Sequence, residues 1–267
     1  MSAPYVDTHC HLDHHFELSA AEQVHRARQA GVTTMVTVGT DLASSAQAVA
    51  TAERFEGVYA AVGIHPNDAT QASPQALEVI ERLARDPACV AVGETGLDYY
   101  RDHTTPVQQE ASFRAHIDIA KRTGRTLVIH CREAWDEVLR TLEEVGPPER
   151  VVLHCFSGDL DVTHRCVERG YFTSFAGNVT FKNAAALRRA AATVPSDLLL
   201  SETDSPYLTP HPHRGAPNDP SYVAVTVRTL AEVRDQGVED LARMVADNTA
   251  RAFALPPGAI AKPHVTC

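Results

Sequence analysis

Two histidines one residue apart, His9 and His11, stand at the end of a short β-rich run near the start of the chain. In extended backbone, residues two apart point to the same face, so two imidazoles can grip one ion while Cys10 points away. Glu94, His130 and His154 each close a later run of the same kind, and Glu202 and Asp204 close the last. The same alternation turns Cys131 and Cys155 away from the face of His130 and His154, which leaves nitrogen and oxygen as the ligand atoms. Four imidazoles and two or three carboxylates are too many for one tetrahedral ion but suit a pair about 3.5 to 4 Å apart. Such a pair needs a bridging carboxylate, and Glu94 is the best placed. A lone histidine at a strand end is more often a hydrogen-bonded core residue. A cluster of buried carboxylates without a cation is costly, however, and that weighs for metal when all these residues are taken together.

Convergence of residues so far apart in sequence requires a fold that gathers strand ends. Candidate strands at 5–9, 32–38, 58–65, 88–94, 125–130, 151–154, 171–176 and 198–202 alternate with amphipathic segments such as 20–30, 75–85, 110–122 and 133–144. Several of those segments end in glycine (Gly31, Gly124, Gly146, Gly170), a helix C-terminal signal. Roughly 27 residues per step accommodate one strand, one crossover helix and two short loops. The expected fold is a closed (β/α)8 TIM barrel, with a doubly wound open sheet as the alternative. In a barrel all these strand ends meet at one mouth.

The chain has 267 residues, 44% hydrophobic and 22% charged, and no linker-like break in composition, so one domain is expected over residues 1–255 with a short tail at 256–267. No stretch approaches the roughly 18 apolar residues of a membrane span. The start of the chain carries neither a basic nor an apolar leader segment, and the six scattered cysteines include no C-x-x-C pair. These features point to free thiols and a cytoplasmic location. The formal net charge of −10 disfavours a broad basic face that coats long polyanions, though metal ions could supply positive charge locally.

Six segments in order carry a resemblance. Val6-Asp7-Thr8-His9-Cys10-His11-Leu12-Asp13, Gly63-Ile64-His65-Pro66, Gly93-Glu94-Thr95-Gly96-Leu97-Asp98-Tyr99, Val128-Ile129-His130-Cys131-Arg132, His154-Cys155-Phe156-Ser157-Gly158 and Ser201-Glu202-Thr203-Asp204-Ser205-Pro206-Tyr207-Leu208 are similar to the motifs of the TatD family of metal-dependent deoxyribonucleases. The match spans about residues 5 to 253. The resemblance implies a TIM barrel with divalent metals held by His9, His11, Glu94, His130, His154 and Asp204, and a 3′-to-5′ exodeoxyribonuclease acting on single-stranded or frayed DNA ends. It also implies, in some members, a third metal joined by the residue matching Glu202. One departure stands out: where the family commonly has Arg-Gly-Lys, this chain has Arg214-Gly215-Ala216, so a cation that would meet substrate phosphate is missing.

In the chemistry expected of this site, two divalent ions (Zn, Mn, Mg, Ni or Co) polarise a phosphoryl oxygen and activate water, and Asp204 accepts the proton, with Glu202 next in line. His65, Arg101, Arg132 and Arg214 lie in loops after strands, where phosphate-binding groups are expected. Asp98 reads as a loop-ordering residue, and Tyr99 and Tyr100 could stack on a base. His14, His15, His25, His116, His164 and His264 are assigned to surface or packing roles, while His211 and His213 flank Pro212 near the mouth. A hydrolase of small esters, lactones or amides would use the same ions. Its lactonase branch, by resemblance, carries a carboxylated lysine bridge. None of the three lysines here (Lys121, Lys182, Lys262) ends the fourth strand, where Glu94 stands. A non-catalytic metal or nucleic-acid binder would need no general base such as Asp204. Single-stranded DNA is the expected partner, with a monomer or small homo-oligomer as the assembly.

Overall fold

Eight strands pair in their sequence order, each parallel to the next, in a computed structural model that describes residues 3–14 and 17–260. They are β1 (Tyr5–Cys10), β2 (Val32–Val38), β3 (Val58–Val62), β4 (Cys89–Asp98), β5 (Thr126–Arg132), β6 (Val151–Leu153), β7 (Phe172–Phe175) and β8 (Leu199–Ser201). Between and after them run α1 (Ala20–Gln29), α2 (Leu42–Arg54), α3 (Pro74–Ala84), α4 (Pro106–Thr123), α5 (Trp135–Val145), α6 (Leu160–Glu168), α7 (Ala185–Thr193), α8 (Val223–Val233) and α9 (Val238–Ala252). The strand order never reverses, as it must in a doubly wound sheet, so the fold is the single-domain TIM barrel expected from the alternation. Among the described residues no helix is long and apolar enough to cross a membrane. His15, Lys262, His264 and Cys267 lie outside the described residues, as does the tail from 261 onward.

The seam between first and last strands is closed near the barrel mouth. Cys10 bridges Ser205, the His11 N–H donates to the Ser205 carbonyl at 2.8 Å, and the Asp204 N–H donates to the His9 carbonyl at 2.9 Å. Lower down, the Thr8 hydroxyl donates to the Ser201 carbonyl at 3.1 Å. Closure and site are therefore made by the same residues.

Strand alternation sorts the side chains into two layers. Met35, Leu127, Ile129, Leu153 and Leu199 face outward and pack with helix residues such as Ile80, Phe113 and Leu139. Val36, Val38, Val128, Val152 and Leu200 form a second cluster inside the barrel, closed from below by Phe253 and Leu255 after α9. Counting two residues on from inner Val128, Val152 and Leu200 gives His130, His154 and Glu202, so on three strands the inner face passes from apolar packing to polar groups.

Helices also fix the loops. The Ser45 hydroxyl of α2 both accepts from Gly63 N–H and donates to its carbonyl, and His116 of α4 accepts from Ile64 N–H at 3.0 Å, so the turn leading to His65 is held from two sides. His116 is thus a packing residue, as expected. Gln109 of α4 clamps both backbone groups of Asp98.

Several strand ends differ from the sequence reading. The third, sixth and eighth strands stop at Val62, Leu153 and Ser201, which leaves His65, His154, Glu202 and Asp204 in the loops just beyond. The fourth runs four residues past Glu94, because Thr95 to Asp98 continue to pair with Ile129 to Arg132. Gly96 permits that pairing: its φ is +139°, and a Cβ there would lie 2.1 Å from the His130 carbonyl oxygen.

Gly96→Ala is expected to cost about 2–6 kcal/mol, the sum of backbone strain and overpacking against β5. Gly124→Ala, at a helix end with φ of +65° where a Cβ would meet nothing, is expected to cost only about 1–2 kcal/mol. Chemical denaturation of the two variants measures the difference; equal losses would show that the β4–β5 contact is not tight.

Candidate metal centre

Glu94 lies at the centre of the mouth, with its two oxygens turned to different partners. Oε2 is 3.4 Å from His9 Nε2 and 4.0 Å from His11 Nε2. Oε1 is 2.8 Å from His130 Nδ1, 3.0 Å from His154 Nε2 and 3.6 Å from His65 Nε2. The His9 and His11 Nε2 atoms are 3.3 Å apart, and Asp204 Oδ1 lies 4.0 and 3.6 Å from them. Ligand atoms around a tetrahedral ion with bonds of about 2.0–2.1 Å are about 3.3 Å apart, so the His9, His11, Glu94 and Asp204 group has spacings suited to an ion. Among the described residues four compact groups draw on these side chains: His9, His11 and Asp204; Glu94, His130 and His154; His9, His154 and Glu202; and His65, Asp98 and His130. No cysteine belongs to any of them.

The electrostatics favour a cation. Burial, helped by His154, pushes His9 down to about 4, and burial pushes His65 down to about 3, so both offer neutral rings with lone pairs. Burial also works against a charged Glu94, but His154, His65 and His130 outweigh it and hold the carboxyl well below its usual range. For His154, burial opposes charge and is outweighed by Glu94 and Glu202, which raise it.

Behind this layer stands another. Glu202 is fully buried, and its Oε1 lies 2.9 Å from His154 Nδ1 and accepts from Cys155 N–H, which fixes the ring that presents Nε2 to Glu94. Glu202 Oε2 has no hydrogen-bond partner among the described residues. Asp98 lies 3.4 Å from His130 Nε2 and accepts from the N–H groups of Tyr100 and Arg101, which orders the loop as the sequence suggested. Asp7 ties the two ends of the barrel together by accepting from Thr203 N–H, the Thr203 hydroxyl and His9 N–H. Asp204 itself sits in left-handed backbone, φ +54°, in the turn that follows.

A cavity of about 730 Å³ opens above these groups. Arg101, Arg132 and His65 line it, as do His11, Glu94, His130, His154 and Asp204. His9 lies beneath, fully buried. Arg214 does not reach the cavity: its guanidinium stacks on Phe181 at 4.3 Å and donates to the Thr209 carbonyl, because the loop after β8 folds back on itself. His213 likewise stacks on Tyr222, and His211 is exposed away from the cavity. Cys155 lines the cavity, contrary to the alternation argument, because β6 has already ended at Leu153 and the residue takes a φ of +43°.

Some lining residues escaped the sequence reading. His14, assigned to a surface or packing role, stacks on His11 with ring centroids 5.0 Å apart and lines the cavity. His103, Asn67 and Asn178 line it too. His14 follows His11 by three residues in a strand-end loop, a position that could have flagged it. Nothing in sequence sets Asn178 apart.

The family model described as "TatD related DNase" matches residues 6–254. A Mycobacterium tuberculosis protein named "Uncharacterized metal-dependent hydrolase TatD" is 44% identical over 258 residues, covering 94% of this chain and 98% of that one. A Klebsiella pneumoniae protein named "3'-5' ssDNA/RNA exonuclease TatD" is 35% identical over 240 residues, covering 88% and 91%. The crystal structure of YJJV, a TatD homolog from Escherichia coli, superposes with a TM-score of 0.89 at 33% identity, covering 96% of this chain and all of that one.

Because Glu94 faces both groups of histidines while His11 belongs to one, Glu94→Ala should abolish the rise in melting temperature that divalent ions produce, whereas His11→Ala should retain part of it. Thermal melts with and without added Zn or Mn measure this; an undiminished rise in Glu94→Ala would place the ions elsewhere.

Proposed function

This chain belongs to the TatD-related family of metal-dependent hydrolases, and we propose that within it the protein is a 3′-to-5′ exonuclease acting on single-stranded or frayed DNA ends. The relative named for ssDNA and RNA brings RNA ends into the same proposal. One observation carries the reading: the two oxygens of a single buried carboxylate, Glu94, face separate sets of imidazoles, with Asp204 beside one set at the floor of an open cavity.

In this reading His9, His11 and Asp204 would hold one divalent ion and His130 and His154 a second, with Glu94 facing both sets. The chemistry supplied by bound ions would be Lewis-acid charge at the phosphodiester and a water easier to deprotonate at neutral pH. Mixed imidazole and carboxylate sets of this kind suit Zn, Mn, Ni or Co. Asp204 is the general base: its carboxylate faces the cavity, and the turn that holds it is pinned to β1 through the His9 carbonyl. As the water oxygen bonds to phosphorus, the proton goes to Asp204 and the bond from phosphorus to the preceding O3′ breaks. A nucleoside 5′-monophosphate leaves, the departing O3′ takes a proton from solvent to become the 3′ hydroxyl of the shortened strand, and Asp204 returns its proton to solvent. Glu202 acts through His154, which it orients. The five free cysteines among the described residues suit a reducing cytoplasm.

Asp204→Asn keeps an oxygen near the ions but cannot take a proton, so kcat should fall about 10²-fold or more with binding little changed. A loss under about threefold would move the base elsewhere. Arg101 and Arg132 are the arginines at the mouth, so the slope of log affinity against log salt for single-stranded DNA should be only about −1.4, at roughly −0.7 per contact. A slope steeper than about −5, or preferential cutting inside duplexes, would contradict the reading; hydrolysis of small esters alone would transfer the site to another substrate class.

A further inference from the structure

The two ends of the cavity differ in chemistry. On the side of His130 and Asp98, Arg132 lays its guanidinium 3.6 Å from the centroid of the Tyr100 ring. Arg101 and His103 lie on the same side. Among the described residues neither arginine is ion-paired with a carboxylate. A further cavity of about 400 Å³ continues from this side, sharing Asp98, Arg101 and His103 with the first.

On the other side, beside His11 and Asp204, there is no arginine or lysine among the described lining residues. Tyr207 stands there instead, 56% exposed, its ring edge-on to His11 with centroids 6.0 Å apart. Among the described residues only four large apolar or aromatic side chains are well exposed, and Tyr207 and Tyr100 are two of them. The Tyr207 backbone is not loose: its N–H donates to the Asp204 carbonyl at 2.8 Å and its carbonyl accepts from the Asn218 side chain. An exposed ring is thus rigidly held beside the proposed general base.

An exposed, rigidly held aromatic face suits a nucleobase, whereas guanidinium groups suit phosphates. At a 3′ end the nucleotide to be released brings one base, while the remaining strand brings many phosphates. We infer that Tyr207 is the stacking platform for the 3′-terminal base, and that the rest of the strand leaves across Arg132, Tyr100 and Arg101 into the second cavity. This rests on the exonuclease reading and adds to it a direction for the strand across the mouth.

The test reads stacking without turnover. A single strand with 2-aminopurine as its 3′-terminal base is bound to metal-loaded Asp204→Asn protein, and its fluorescence should be quenched. Quenching should vanish when Tyr207→Ala is added and persist with Tyr207→Phe. In parallel, the wild-type kcat/KM for a normal 3′ end should exceed that for an abasic 3′ end by about 5- to 100-fold, and Tyr207→Ala should bring this ratio near one. Quenching that survives Tyr207→Ala, or a wild-type protein that hydrolyses both ends alike, would overturn the inference. Tyr207-dependent quenching with no hydrolysis by the wild-type protein would support the base site and contradict the exonuclease reading instead.

Discussion

A carboxylate buried among five imidazoles is the constraint around which this barrel mouth is arranged. Glu94 is about 3% exposed, so its charge must be met by neighbours rather than by water. His130 and His154 approach one oxygen and His9 and His11 the other. Three of those rings have a group behind them: Glu202 behind His154, Asp98 behind His130 and the Val38 carbonyl behind His11. Supporting groups then need support: Gln109 of α4 fixes the Asp98 backbone, and Asp7 fixes the Thr203 segment. Polar order at the mouth therefore extends outward from one side chain to helices on the barrel exterior.

The architecture was legible because strand and helix periods alternate so regularly. All eight strands, their parallel arrangement and the gathering of His9, His11, Glu94, His130, His154 and Asp204 follow from reading which residues end each run. Boundaries were less legible where glycine was involved. Gly93 and Gly96 resemble strand terminators in composition, yet they let β4 pass close to β5, a tertiary fact that local pattern cannot carry. Alternation also stops working once a strand ends, which is why Cys155 lines the cavity although its place after His154 suggested otherwise.

Loops marked the limit of the sequence reading. Arg214 looked like a phosphate contact because of its position after the eighth strand, but its guanidinium is engaged by Phe181 and the Thr209 carbonyl. Its withdrawal, together with alanine at 216, leaves no arginine or lysine among the described lining residues on the β8 side of the mouth, and Arg101 and Arg132 on the β4–β5 side. That asymmetry depends on how loops fold back, information that residue type and spacing do not contain. The result is a mouth with two arginines and Tyr100 at one end and Tyr207 beside Asp204 at the other, with the Glu94 carboxylate between them.

Under the proposed function, metal ions held around Glu94 are the working centre of this protein. The most direct test is to strip the protein with chelator, add back Mn or Zn stepwise, and follow ions bound per chain together with mononucleotide released from single-stranded DNA. Stripped protein should release nothing, and release should rise in step with occupancy, saturating near two ions per chain. Full release from protein shown to be free of metal would contradict it.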